Sequence, residues 1–294
     1  MNTPPVCDYE GSDYQQSFWD AGQRAYEDAA EALALRRLLP TDGKRLLELG
    51  AGAGRNTSRY AGFDEIVLLD YSTTQLEQAR QRLGDSRRYR YVAADIYRLP
   101  FADAQFDAAT LIRTLHHFKE APLALDQVRR ILADGADFIL EFANKRNLKA
   151  ILRYLLRRQT WNPFTLEQVE FAALNFDFHP RAVYAWLEQR GFSVQRRLAV
   201  SFFRLGFLKR ALPLKVLMAL ESPSQHLGAL YPLSPSVFLR ASLPGAATLP
   251  ETLVFRCPAC HSKALRESPT AVTCQACKRV YPITNGIYNF KITD

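Results

Sequence analysis

The chain of 294 residues contains no run near the ~18–20 uninterrupted apolar residues of a membrane span, which excludes a helical transmembrane segment. Cysteine is scarce along most of its length: of five, four fall within the last 38 residues. That distribution excludes a disulfide framework spread over the fold and points to a local metal site. Cys7, alone near the start, reads as an ordinary free thiol. No internal repeat or low-complexity tract is present, which sets aside repeat architectures. The opening MNTPPVCDYEGSDYQQ is polar and acidic, unlike a secretory signal, so a soluble cytoplasmic protein is expected. Acidic residues are outnumbered by Lys and Arg, 30 to 38, and the net charge of +8 gives a mild preference for anionic partners.

What is present is apolar enough, at 48%, to build a sizeable core, and the length suits one large α/β domain with a small second one. A helix is expected over 20–39, where Ala25, Ala29, Ala32, Leu33 and Leu38 fall at helical spacing before Pro40, Asp42 and Gly43 end it. Strands follow at 45–49, 65–70, 89–94, 106–112 and 137–142, with helices at 53–61, 73–83 (Ser72 as N-cap) and 121–132 between them. This alternation predicts an α/β fold, a Rossmann-like doubly wound sheet with a largely parallel core. Beyond 145 the pattern changes: a helix at 147–158, an aromatic-rich stretch at 159–178, a helix at 180–190, then strands at 192–204 and 235–243 around the basic insert GFLKRALPLKVLMAL. Residues 244–250 read as a linker and 254–294 as a separate small module. The boundaries this implies are an N-terminal helical cover at 1–43, a main domain at 44–245 with an aromatic and basic insert at about 146–191, and the terminal module.

The stretch LLELGAGAGRN carries the first chemistry. It lacks the lysine a phosphate-binding Walker loop needs, and its glycines are closer together than a dinucleotide fingerprint requires. Glu48, two residues before Gly50, suits an ammonium or sulfonium better than a pyrophosphate. Asp70, at the end of the second strand and eighteen residues past Gly52, stands where a carboxylate can accept ribose hydroxyls. Asp95 and Ile96 follow the third strand, an acceptor and an apolar surface that suit an adenine.

In that order these residues, with LPFADAQFDAATLIRTLHHF at 99–118, resemble the class I S-adenosylmethionine-dependent methyltransferases over 44–145, in the methyltransferase-11-like branch. The resemblance implies a seven-stranded sheet with an antiparallel last strand and the cofactor across the strand carboxyl ends. It puts Glu48, Gly50 and Gly52 at the methionine end, Asp70 at the ribose, Asp95 and Ile96 at the adenine, and Arg113 beside cofactor or substrate. Glu-Leu-Gly-Ala-Gly replaces the family's usual Asp-Val/Leu-Gly-Cys-Gly. The sulfonium methyl is electrophilic already, so a base is needed only where the acceptor loses a proton. His116, His117 and Glu141 are the candidates, and the two adjacent histidines cannot both face one substrate. Trp19 and Tyr26 are candidate lid residues. The aromatics Trp161, Phe164, Phe171, Phe176 and Phe178, with His179, either cover the substrate or pack an inserted subdomain. Lys149, Arg153, Arg157 and Arg158 either grip phosphates or a lipid headgroup or form a solvated face.

In the tail, Cys257-x2-Cys260 and Cys274-x2-Cys277 supply four thiolates at a spacing suited to a closed, structural Zn2+ site. The gap of thirteen residues between the pairs is shorter than the ~15–20 usual for such ribbons. The tail resembles the small zinc-ribbon protein that activates several tRNA, rRNA and release-factor methyltransferases, on both knuckles and Tyr281-Pro282-Ile283-x3-Ile287. It implies a ribbon fused in cis to stabilise the enzyme or dock its substrate. The Asn-Pro-Pro-Tyr signature of protein and base amide methylation is absent. Three readings therefore stand: methyl transfer to RNA, methyl transfer to a small or quinone-like acceptor, and a non-catalytic cofactor-binding scaffold. Nothing in the sequence fixes an oligomeric state.

Overall fold

The computed structural model describes residues 4–13, 17, 19 and 24–292. After α1 (Ala25–Leu38), five strands and two helices build the centre: β1 (Gly43–Leu49), β2 (Phe63–Asp70), α2 (Thr73–Leu83), β3 (Tyr89–Ala93), β4 (Phe106–Leu111), α3 (Ala121–Ile131) and β5 (Leu132–Ala143). The second half adds α4 (Leu148–Leu155), the hairpin β6 (Val169–Ala172) and β7 (Asn175–Asp177), α5 (Pro180–Glu188), β8 (Ser193–Val200), α6 (Gly206–Ala211), α7 (Leu214–Leu227) and β9 (Ser236–Ser242). Four short strands close the chain: β10 (Leu265–Glu267), β11 (Ala271–Cys274), β12 (Val280–Thr284) and β13 (Ile287–Asn289).

Strands β1 to β5 are parallel, in the order β3-β2-β1-β4-β5, and β9 runs antiparallel between β5 and β8. Buried on both faces, β1 and β2 are apolar along most of their length rather than alternating, as central parallel strands must be. The order reverses beside β1, so its carboxyl end opens a crevice between β1 and β4, the position where such sheets bind ligands. The expected fold class holds: a Rossmann-like, mostly parallel α/β sheet with an antiparallel late strand.

Two expectations need correction. First, the helix forecast over 53–61 is a series of turns with one 3-10 turn at Thr57–Arg59. Its polar side chains are drawn elsewhere: the Thr57 hydroxyl donates to Glu48 at 2.6 Å, and Arg59 donates to Asp28 of α1 at 2.6 Å. Second, the terminal segment does not stand apart. Strand β13 pairs in parallel with β3, the exposed edge, so the seven strands continue into an eleven-stranded sheet. Phe255 stacks on Phe101 at 5.8 Å and meets Phe290 at 4.9 Å, within the same apolar core as Phe106 and Leu99. Covering an edge in this way removes a row of unpaired backbone groups. Of the two alternatives for the aromatics at 161–178, packing holds for Phe176 and Phe178, which are core residues; Phe178 packs on Trp186, and His179 caps α5.

Candidate functional site

The glycine loop follows β1 because the backbone must reverse sharply there. Gly50, Gly52 and Gly54 all have positive φ, and at Gly50 a Cβ would lie 2.2 Å from the Thr114 hydroxyl. The loop walls a cleft of about 1070 Å³, counting its open mouth. Glu48, Gly50, Gly52, Asp70, Ile96, Arg113 and His117 line it, with apolar surface from Leu49, Ala94 and Phe118. Asp70 accepts from the Gly52 N–H at 2.8 Å and the Ser72 N–H at 2.9 Å. The Tyr71 N–H also bonds it, and because a carboxylate has about four acceptor positions, one remains for a ligand hydroxyl. Burial pushes the Asp70 carboxyl above its ordinary range. It also pushes Glu48 up to about 7, against the opposing effect of the Thr57 hydroxyl.

Asp95 is not among the residues lining this cleft. Its carboxylate accepts from the Tyr97 N–H at 2.9 Å, and it borders a smaller cavity together with Val6, Asp8 and Arg98. The N-terminal segment runs between the two: Val6, Cys7 and Tyr9 line the main cleft, so Cys7 is a cleft residue and its thiol is raised by burial. Glu10 anchors the segment at the start of α2, accepting from the backbone N–H groups of Thr73 and Thr74 at 2.9 and 3.0 Å. Against burial, the Thr74 and Thr73 hydroxyls, and after them these backbone bonds, hold its carboxyl down to about 2.

Arg113 separates the main cleft from a second cavity and lines both. Its backbone is left-handed, with φ 61°, and its N–H donates to Glu141 at 2.9 Å. Its guanidinium binds Glu31 of α1 at 2.6 and 2.5 Å. Arg55 donates to Glu31 at 2.7 Å and to Asp28. The fully buried Glu31 thus ties α1 to the glycine loop and to the turn after β4. Sequence reading missed this residue. The signal was Glu27 and Glu31, one helical turn apart and in step with Ala34, Leu35 and Leu38, which places both carboxylates on the buried side of α1. Trp19 lies under the Arg55 guanidinium at 3.6 Å and also lines the main cleft. Tyr26 is not a lid: its hydroxyl donates to buried Glu221 at 2.6 Å and accepts from the Phe203 N–H at 2.9 Å. Residues 20–23 of the forecast N-terminal helix lie outside the described residues.

The second cavity is an open one of about 1690 Å³, counting its wide mouth, and is polar: His116, Glu141, Asp177, Arg204 and Lys209 line it, with Phe171 from the hairpin. The two histidines part here. His117 lines the main cleft and its ring is committed, with Nδ1 donating to the Leu174 carbonyl at 3.0 Å and Nε2 accepting from the Tyr9 hydroxyl at 3.2 Å. His116 faces the second cavity, and burial, with His117 and Arg113 nearby, holds it well below the usual imidazole range. Glu141 is buried and raised by desolvation, held by Ser236 and the Arg113 N–H. Asp177 is pushed up to about 6 by burial.

The four tail cysteines form a third cluster, their sulfurs all within 4.8 Å of one another. Cys257 and Cys277 are 3.7 Å apart and Cys260 and Cys274 3.5 Å. Zn–S bonds of about 2.3 Å give a tetrahedron with edges of about 3.8 Å, so the set fits zinc. The two knuckles repeat one backbone device. His261 and Lys278, each just after the second cysteine of its pair, have φ near 63° and 62° and donate back to the carbonyls of Cys257 and Cys274, both at 2.9 Å.

The glycine cradle, the spare acceptor position of Asp70 and the apolar walls fit a nucleoside cofactor at a sheet switch point, which defines a Rossmann-like transferase site. Residues 47–140 match the family described as Methyltransferase domain. The demethylmenaquinone methyltransferase of Clavibacter sepedonicus is 30% identical over 166 residues, 56% of this chain and 68% of that protein. The 27-O-demethylrifamycin SV methyltransferase of Amycolatopsis mediterranei is 30% identical over 44% of this chain, but the match spans only 53% of that enzyme. The fold is shared with a chain from the complex of the Haloferax volcanii Trm112 methyltransferase activator with a methyltransferase. There the TM-score is 0.52 and the identity 15%, over 80% of this chain and 98% of that one. The chain belongs to the class I S-adenosylmethionine-dependent methyltransferases, and it is an enzyme of that class rather than a scaffold.

Proposed function

We propose that this methyltransferase acts on a small acceptor held in the second cavity, with His116 taking the proton the acceptor loses. The observation that carries this reading is a polar cavity, roofed by the β6–β7 hairpin, that shares Arg113 as a wall with the cofactor cleft. The similarity to small-molecule and quinone methyltransferases favours a small molecule over an RNA strand. When bound, S-adenosylmethionine supplies an electrophilic methyl group. Glu48, Gly50, Gly52, Asp70 and Ile96 would hold it, with Asp95 one residue removed from the cleft wall. Arg113 fixes the partition between cofactor and acceptor, and such alignment can contribute ~7–11 kcal/mol to the rate. Cys257, Cys260, Cys274 and Cys277 would hold one structural zinc, closed to catalysis because all four positions are thiolates. The module 254–294 then acts as an in-cis brace on the β3 edge.

Acceptance of a proton by His116 requires the neutral imidazole. Because burial lowers its pKa, the ring is neutral at pH 7 and becomes protonated only as pH falls through a value below 6.5. The rate kcat/KM should therefore show an acid limb with its midpoint below 6.5. His116→Gln should remove that limb and lower kcat by about 10²–10⁴-fold, with little change in cofactor affinity. An unaltered pH profile in a folded His116→Gln enzyme would remove the base assignment. For the acceptor, enzyme given methyl-labelled cofactor with either a small-metabolite and lipid extract or total RNA should label the extract. Labelling of RNA alone would overturn the small-acceptor reading.

A proton-linked binding test addresses the methionine end. Glu48, at about 7 in the free protein, should ionise beside an ammonium, so S-adenosylhomocysteine binding should release protons below neutral pH and weaken as the solution is acidified. Calorimetry in two buffers of different ionisation heat reads this directly. Heats that do not depend on the buffer would separate Glu48 from the ligand's charge.

A further inference from the structure

Two acid-free basic segments frame the mouth of the second cavity. Residues 145–158 carry Arg146, Lys149, Arg153, Arg157 and Arg158, with Lys145 buried beneath them, and not one Asp or Glu; residues 204–220 carry four cations on the same terms, of which Lys209 is paired with Glu27 at 2.7 Å. The first provides α4, whose N-cap Asn147 lines the cavity; the second provides α6 and the start of α7, and Gly206 and Lys209 line it from the other side. Between them stands Phe171, which lines the cavity and is itself 59% exposed.

These elements leave apolar side chains in the open where a surface helix would normally bury them. On α4 and its end, Leu155 and Leu156 are 66% and 63% exposed, and Leu148 and Leu152 are also exposed. Phe207 of α6 is 60% exposed, with Leu205 beside it, and Leu230 after α7 is 88% exposed. Isolated exposed leucines are ordinary on a protein surface. Leucines and phenylalanines interleaved with cations, on the helices either side of one opening, are a different composition; the hairpin between them adds Phe171 and carries Glu170 but no cation. Large apolar side chains flanked by Lys and Arg suit the boundary of an anionic bilayer, where acyl chains take the first and headgroups the second.

We propose that the rim of the second cavity, formed by α4, the β6–β7 hairpin and α6, docks on an anionic membrane surface. An acceptor of low water solubility then reaches the cavity from the lipid. This rests on the small-acceptor reading of the cavity and narrows it to a lipophilic substrate. Charge complementarity selects this occupant: an acidic or apolar protein partner would match one of the two features, a second copy of the same cationic face would repel itself, and RNA would leave the leucines unmatched.

Flotation of the full chain with vesicles separates the possibilities. The protein should float with phosphatidylcholine vesicles containing phosphatidylglycerol, and much less with phosphatidylcholine alone or at high salt. Arg153→Glu with Arg157→Glu should weaken binding by roughly 25-fold or more, at about fivefold per cation lost. Leu152→Ser with Leu155→Ser should weaken it at unchanged charge. Both pairs lie outside the cofactor cleft, so unaltered S-adenosylhomocysteine affinity certifies their folding. Failure of the wild-type chain to bind anionic vesicles overturns the proposal, as does a concentration-dependent dimer that the leucine pair dissociates, or RNA binding that the arginine pair abolishes and the leucine pair does not. Flotation needs no acceptor. A chain that methylates soluble compounds yet never floats refutes the docking face alone, and one that floats yet labels only RNA refutes the acceptor reading while leaving the face in place.

Discussion

Replacing Cys274 with serine is expected to unfold the ribbon and to lower the stability of the whole chain. Zinc ligated by thiolates contributes roughly 10–16 kcal/mol in small peptides, and about forty residues bury too little apolar surface to fold without it. The effect should not stop at residue 254. Phe255, Tyr281 and Phe290 share a core with Phe101 and Phe106, and the Phe290 N–H donates to the Ala93 carbonyl at 2.8 Å. Loss of the ribbon therefore uncovers the β3 edge and an aromatic face, and both promote association. The residues after β3, Ala94 and Ile96, line the cofactor cleft, so cofactor affinity should fall as well. Elemental analysis should return one zinc per wild-type chain. Hydrogen exchange should show protection lost across β10 to β13 and at β3 in Cys274→Ser or after chelation, with a lower Tm and aggregation. A metal-free wild-type protein with undiminished Tm and unchanged protection at β3 would contradict the argument.

The features legible in the sequence were those written locally. The apolar stretches of β1 and β2, the Ser72 cap of α2 and the glycine loop each announce themselves within a few residues. The paired cysteines do the same, since a knuckle is built from four consecutive residues and the backbone that folds back on them. What escaped reading depends on partners far along the chain. The Tyr26 hydroxyl belongs to Glu221, 195 residues away, and the His117 ring to Tyr9, 108 residues away. No periodicity encodes either pairing. The helix forecast over 53–61 failed for a related reason: Thr57, Arg55 and Arg59 bond to Glu48 and to α1, and those bonds compete with the regular backbone ladder. The docking of β13 on β3 was hidden for another reason. Parallel edge pairing is made by backbone groups, which every sequence carries alike, and only the aromatic spacing of Phe255, Tyr281 and Phe290 hints at it.

The second large effect is expected at Glu31, the residue on which the site's partition depends. Its carboxylate is fully buried and receives Arg55 from the glycine loop and Arg113 from the turn after β4. Burial works against its charge, but the two guanidiniums prevail and its pKa lies below the ordinary value. Because the folded pKa is depressed, the stabilisation is present above the unfolded value of 4.5 and is lost as pH falls through the lower, folded one. Glu31→Ala leaves two guanidiniums without this buried partner. Breaking a pair of this kind costs about 3–5 kcal/mol, a large share of the stability of an ordinary domain. Part of that cost should be softened, because Arg55 keeps Asp28, which is partly exposed. Arg113 should then lose its place between cofactor and acceptor, so kcat should fall by more than the weakening of cofactor binding accounts for. Glu31→Gln keeps the shape and one acceptor oxygen but not the charge, and it should sit between alanine and wild type in both Tm and kcat. Thermal unfolding at pH 7 and at a series of pH values carried well below 4.5, through the depressed folded pKa, provides the check. The gap between wild type and Glu31→Ala should be wide at pH 7 and close as the solution is acidified, because acid removes the same interaction the mutation removes. A gap of the same size throughout that series would mean that packing, and not the buried charge, is what Glu31 contributes.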